Sequence, residues 1–260
     1  MIQKTEATVL RIFPFSRTSH IVSWLSRDGD RITTAVKGAT RPKSLFLGQY
    51  DLFYSCELLY YTRERNGVHI AKECTPLNMR ENFRTNWRAT QCASWFSALA
   101  YNASGAGIAN RELYYLFNET LDYISLSEQP PPPIVFGRYE VKILELMGLS
   151  PNFSKCEFCT DTQQTASFSF NLASGSRHCK EHSIRNYSEP VISISERAAL
   201  LYKEAAKSRT LGQHSAIARI DGPHVSALLR FLGLFIRYHI EHIPFEGRAC
   251  ALKALQAGQK

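Results

Sequence analysis

Cys156-Glu157-Phe158-Cys159 and, after nineteen intervening residues, Cys179-Lys180-Glu181-His182 are the stretches on which the reading of this chain turns. Each brings two donors to one point, and three thiols with one imidazole suit a tetrahedral ion, zinc above all. A closed set of four ligands leaves no position for water or substrate. The expected cofactor is therefore a single structural Zn2+ held by Cys156, Cys159, Cys179 and His182. His178 competes with His182 as fourth ligand, but as the immediate neighbour of Cys179 it would need an awkward chelate. Between the knuckles, Phe168-Ser169-Phe170 alternates like a short strand and Ala173-Ser174-Gly175-Ser176 supplies a turn. The spacing predicts a small zinc ribbon over residues 151–187.

On both sides of the ribbon the apolar residues recur at helical intervals. Cys92, Trp95, Phe96 and Leu99 form one face, and Leu113, Leu116, Phe117, Leu121 and Ile124 a second. Phe136, Tyr139, Ile143, Leu146 and Met147 form a third that should end at Gly148. Downstream, Ser195 is placed to cap a helix through Leu200 and Leu201 toward Lys207, and Asp221 and Pro223 to open a long one over Val225–Ile240. This predicts a helical domain of residues 79–150 and 188–245, with 246–260 a flexible tail.

Residues 1–78 change period. Ala7–Phe13, Ile21–Leu25, Arg31–Val36, Leu52–Tyr61 and Val68–Glu73 read as five short strands, with turns at Asp28-Gly29 and Asn66-Gly67. Five strands in so short a length point to a small closed barrel of the OB type, which hides its edges by closure. The fold class expected is thus α+β and multidomain: an N-terminal OB barrel, a helical domain and an inserted zinc ribbon.

The chain has 260 residues, a hydrophobic share of 44% and a formal charge of +8. Residues 1–78 carry eleven Lys or Arg against seven acids and residues 191–260 ten against five, so the excess sits at the two ends. If the ends converge, they make a basic face suited to phosphate. Seven cysteines without framework spacing fit a reducing compartment. Met1–Glu6 is polar with no apolar run behind it, and Ala227–Ile240 is interrupted by Arg230 and Arg237. Neither a signal peptide nor a membrane span is expected, and the expected location is the cytoplasm.

The loop Lys37-Gly38-Ala39-Thr40-Arg41-Pro42-Lys43-Ser44 sets three cations among residues that fix the backbone, an arrangement suited to successive phosphates. Arg63 and Arg65, in the turn between the fourth and fifth strands, would extend that surface. Phe13, Phe15, Phe53, Tyr54 and Tyr60 are candidates for base stacking, one or two of them exposed and the rest core. There is no nucleophile elbow, His-Glu-x-x-His or dinucleotide fingerprint, and no catalytic residue is assigned.

The order of Thr5-Glu6-Ala7-Thr8-Val9-Leu10-Arg11, Val36-Lys37-Gly38-Ala39, Arg41-Pro42-Lys43-Ser44, Phe136-Gly137-Arg138-Tyr139-Glu140 and Leu146-Met147-Gly148-Leu149-Ser150-Pro151, just before the first knuckle, resembles the bacterial RecO recombination mediators. The resemblance covers nearly the whole chain. It implies a non-enzymatic, nucleoid-associated DNA repair protein of bacteria that binds single- and double-stranded DNA and anneals complementary strands. With the partner RecR it would help load RecA onto DNA covered by single-strand-binding protein. On that resemblance Lys37, Arg41 and Lys43 match the family's basic barrel loop, and Arg138 matches a basic position near where the acidic, apolar tail of single-strand-binding protein docks. The chain departs from the family pattern in offering His182 where zinc-binding relatives commonly have a fourth cysteine, and in placing Ser16-Arg17 where many carry an acidic residue. The rival reading is a zinc-ribbon enzyme acting on DNA, a nuclease or glycosylase, which would need convergent acids or a base in a cleft.

Overall fold

Strand β1 (Ile2–Ser16) is long enough to serve two neighbours: Ile2 to Thr8 pair with β4 (Ser55–Tyr61), and Ala7 to Ser16 with β2 (Ser19–Ser26). β3 (Arg31–Val36) lies antiparallel to β2 and parallel to β5 (His69–Asn78), which closes the barrel in the order β1-β2-β3-β5-β4. These are features of a computed structural model that describes the chain except residues 64–66, 106–108, 128–130, 160–165, 180, 183–189, 209–221 and 257–260. Val9, Val22, Trp24, Ile32, Val36 and Leu58 fill the barrel interior, with Phe46 and Tyr50 of the β3–β4 connection packed against them.

The five expected strands are present with shifted ends. β1 extends beyond Ala7–Phe13 because its polar start still has β4 to pair with. β4 begins at Ser55 rather than Leu52, since Phe53 sits at φ 68, outside extended geometry. β5 runs past Glu73 through Pro76, which is tolerated because it faces a register shift beside Cys56.

Two compact units divide the chain, Met1–Pro130 with Glu246–Lys260, and Pro131–Phe245. The helices are shared between these units, whereas the sequence groups residues 79–150 and 188–245 as one helical domain. In the first unit, α1 (Asn82–Thr85), α2 (Trp87–Ala103) and α3 (Arg111–Leu126) belong with the barrel. Asn86 and Asn110 cap α2 and α3 by accepting backbone N–H groups. The Asp28-Gly29 hairpin abuts the start of α3 so closely that a Cβ on Gly29, at φ +89, would stand 1.8 Å from the Asn110 carbonyl oxygen. Within residues 246–260, α7 (Phe245–Gln256) buries Ala251, Ala254 and Leu255, and the Ala251 carbonyl lies 3.9 Å from the Cys92 thiol.

A single buried guanidinium joins barrel to helix within that unit. Arg80 donates to the Phe53 carbonyl (2.6 Å), Ser55 Oγ (3.0 Å), Asn118 Oδ1 (2.9 Å) and Asp122 Oδ1 (2.6 Å). Asn118 Oδ1 also accepts from Thr8 and Ser55, so the guanidinium sits in a shared hydrogen-bond network.

The second unit holds α4 (Pro133–Leu146), β6 (Asn152–Cys156), β7 (Ser167–Asn171), β8 (Ser176–His178), β9 (Val191–Ser195), α5 (Glu196–Lys207) and α6 (Gly222–His239). Its sheet has the order β6-β8-β7-β9. Phe153 and Phe170 meet Phe231 of α6 at ring separations of 5.4 and 5.2 Å, so an aromatic cluster fastens the sheet to the helix. Ser195 caps α5 by accepting the Ala198 N–H, as its position predicts.

Candidate metal centre and basic barrel loop

Cys156 closes β6 and Cys179 follows β8, and the parallel pairing of these strands carries the two knuckles to one place. One ligand atom from each of Cys156, Cys159, Cys179 and His182 lies within 4.8 Å of every other. The Cys159 and Cys179 sulfurs are 3.7 Å apart, and His182 Nδ1 is 3.7 Å from Cys156 Sγ and 3.1 Å from Cys179 Sγ. A tetrahedron with metal–sulfur bonds of about 2.3 Å has sulfur–sulfur edges of roughly 3.8 Å, so the donor set fits one ion.

Burial raises the Cys156 pKa, but hydrogen bonds from the Cys179, Phe158 and Cys159 backbone and from the Cys159 side chain outweigh it and bring the thiol down to about 6. That favours the thiolate that a metal needs. The choice between the histidines also has a cause. His178 is buried on β8 with Nε2 3.1 Å from Glu157 Oε2, and Ser174 donates to the same oxygen at 2.6 Å. His178 thereby braces the first knuckle from outside, while His182 Nδ1 lies among the three sulfurs.

In the barrel loop, Lys37, Arg41 and Lys43 are exposed and pair with no carboxylate among the described residues. The Gly38 N–H donates to Ser19 Oγ and the Thr40 N–H to the Thr18 carbonyl, each at 3.3 Å. These two bonds tie the loop to the β1–β2 turn and bring Arg17 to the same end of the barrel. Gly38 holds φ +67, and Arg41 folds over it, its Cδ 3.2 Å from where a Cβ would stand. Phe46 and Tyr50 anchor the far side of the loop, Tyr50 with its hydroxyl 2.8 Å from His20 Nδ1.

Arg63 is exposed in the β4–β5 turn, its backbone N–H donating to His69 Nδ1 at 3.1 Å, whereas Arg65 lies outside the described residues. Of the five stacking candidates, Phe53, Tyr54 and Tyr60 are core, and Phe13 and Phe15 are open to solvent. The expected partner-binding residue, Arg138, lies on α4. It is 1% exposed, on a face of α4 turned into the second unit, and donates to the Ser208 carbonyl just past α5. Lys142, one turn on, donates to the Ala206 carbonyl, so both cations lie at the negative end of that helix. Arg17 had no assigned role from sequence; only the two turn-to-loop bonds reveal its company.

The chain matches the family description "Recombination protein O N terminal" over residues 1–80 and "Recombination protein O C terminal" over residues 84–249. It is 24% identical over 257 residues to the DNA repair protein RecO of Alkaliphilus metalliredigens, covering 97% of this chain and 100% of that protein. Identity to the DNA repair protein RecO of Exiguobacterium sibiricum is 27% over 203 residues, 78% of each chain. That to the protein of the same name from Syntrophus aciditrophicus is 26% over 180 residues, 68% of each. With both family descriptions matched in order, the chain belongs to the RecO family, and that membership supports a role in DNA repair and recombination.

Proposed function

We propose that this protein is a non-enzymatic mediator that binds single- and double-stranded DNA through the basic end of its barrel and anneals complementary strands. With RecR it would assist RecA loading onto DNA covered by single-strand-binding protein. The observation carrying the reading is the gathering of Arg17, Lys37, Arg41 and Lys43 at one end of a closed barrel, none of them paired with a described carboxylate. Annealing needs no catalytic group. Cations that neutralise phosphates on two strands lower their mutual repulsion, and contacts indifferent to sequence let the strands slide into register.

The metal proposed for the cluster is zinc, in a structural role: three thiolates and one imidazole, part-buried, match its ligand preferences and leave no open position. When bound, the ion would hold β6 and β8 together; Glu157, His178 and Ser174 orient the first knuckle.

Incubating the protein with two labelled complementary strands and magnesium tests the proposal. Faster duplex formation without shortened product supports it, and cut strands would favour the nuclease reading.

A further inference from the structure

We infer that the outer face of β1, β2 and β3 is a track for unpaired bases, with Phe13 and Phe15 as its stacking platform and a second phosphate anchor at Arg11 and Arg31. The inference rests on the DNA-binding reading above and deepens it. It names which residues would favour a single strand over a duplex.

The charge pattern is the first ground. Residues 7–27 and 31–50 contain no Asp or Glu, yet carry Arg11, Arg17, Arg27, Arg31, Lys37, Arg41 and Lys43. Of these, Arg27 alone has a carboxylate partner among the described residues, Glu6 at 3.1 Å. Strands β1 to β3 thus present a face bordered by cations at both ends.

Geometry supplies the second. Register shifts in β1 fall between Val9 and Arg11 and between Pro14 and Ser16. In the regular segment between them Ile12 enters the core, which turns Arg11 and Phe13 outward. Phe13 lies opposite Ile21, which lies opposite Ala35, so the phenylalanine stands in a neutral row across three strands. Phe15 occupies the second irregularity, where an extra residue re-aims its side chain. Phe13 is 48% and Phe15 68% exposed, a poor use of two aromatic rings unless something covers them.

The far end of the face has its own anchor. The Arg11 and Arg31 guanidinium carbons lie 3.8 and 4.1 Å from the Tyr101 ring centroid, and Arg31 also donates to the Tyr101 carbonyl at 2.7 Å. Arg11 makes no hydrogen bond or ion pair through its side chain among the described residues. Two guanidiniums held on one ring with no counter-ion offer directed donors to phosphate oxygens. Between this anchor and the Lys37 loop lie Phe13 and Phe15, the sequence of cation, aromatic, cation that single-strand binders use. A protein partner would leave the flanking acid-free cations unexplained, so nucleic acid is the favoured occupant.

Anisotropy with a labelled oligo(dT) and with a hairpin duplex, at one ionic strength, tests the track. Phe13→Ala with Phe15→Ala should weaken oligo(dT) binding about tenfold or more and leave duplex binding within about twofold, with an unchanged salt slope. Arg11→Met with Arg31→Met keeps the packing on Tyr101 but should lower the single-strand salt slope by about 1.4. Phe15→Trp adds a direct readout: its emission should be quenched by oligo(dT) and not by the hairpin. Wild-type protein binding DNA while the double alanine variant binds oligo(dT) equally well would overturn the track and leave the loop intact. Equal losses for both DNA forms would also overturn it. Wild-type protein binding neither DNA would instead bring down the broader reading.

Discussion

Arg80, which the sequence does not single out, links the barrel to α3 through one buried guanidinium. Its side chain is 2% exposed and bridges two barrel residues to two on α3. Arg80→Met should cost about 3 kcal/mol, because it strands the buried Phe53 carbonyl and removes the ion pair with Asp122; urea unfolding would measure it. Nothing in the run Asn78-Met79-Arg80-Glu81 announces this, since the partners lie tens of residues away. The cluster of Cys156, Cys159, Cys179 and His182 was legible for the opposite reason: its spacing is local. The Cys156 pKa of about 6 lies below the ordinary thiol range, so the thiolate form stabilises the folded state above the unfolded-state value. That contribution is lost as pH falls through about 6. Metal affinity, read by competition with a chromogenic chelator, should therefore begin to weaken as pH falls through about 6, and Cys159→Ser should bind less than a tenth of an equivalent.

Elements were legible where periodicity or turn chemistry spoke, as in the strands around Asp28-Gly29 and the cap at Ser195. Helix α7 is hard to read in sequence because two of its buried positions, Ala251 and Ala254, are alanines, which add little apolar signal to a segment following Pro244. Its docking still matters: Leu255→Ala should lower stability by about 2 to 4 kcal/mol in denaturant, an effect no frayed tail would give. The barrel loop behaved as its residues suggested, with Gly38 taking a left-handed φ. A methyl there would press on the Arg41 side chain and strain the backbone. Gly38→Ala should weaken DNA binding severalfold in a mobility-shift assay while the melting temperature falls by only a few degrees.

At the scale of the molecule, an ordered set of modest motifs pointed to the family, and two family descriptions spanning the chain bear that out. What no motif could carry was burial: Arg138 reads as a surface cation in one dimension and is enclosed beside the end of α5 in three. The central claim is electrostatic, that cations on the barrel loop meet phosphates directly. Its most direct test is the salt dependence of single-strand binding for wild type and for Lys37→Ala with Arg41→Ala. Losing two phosphate contacts should reduce the slope of log K against log salt by about 1.4 and weaken binding, with no fall in melting temperature. An unchanged slope and affinity in the double variant would contradict the account.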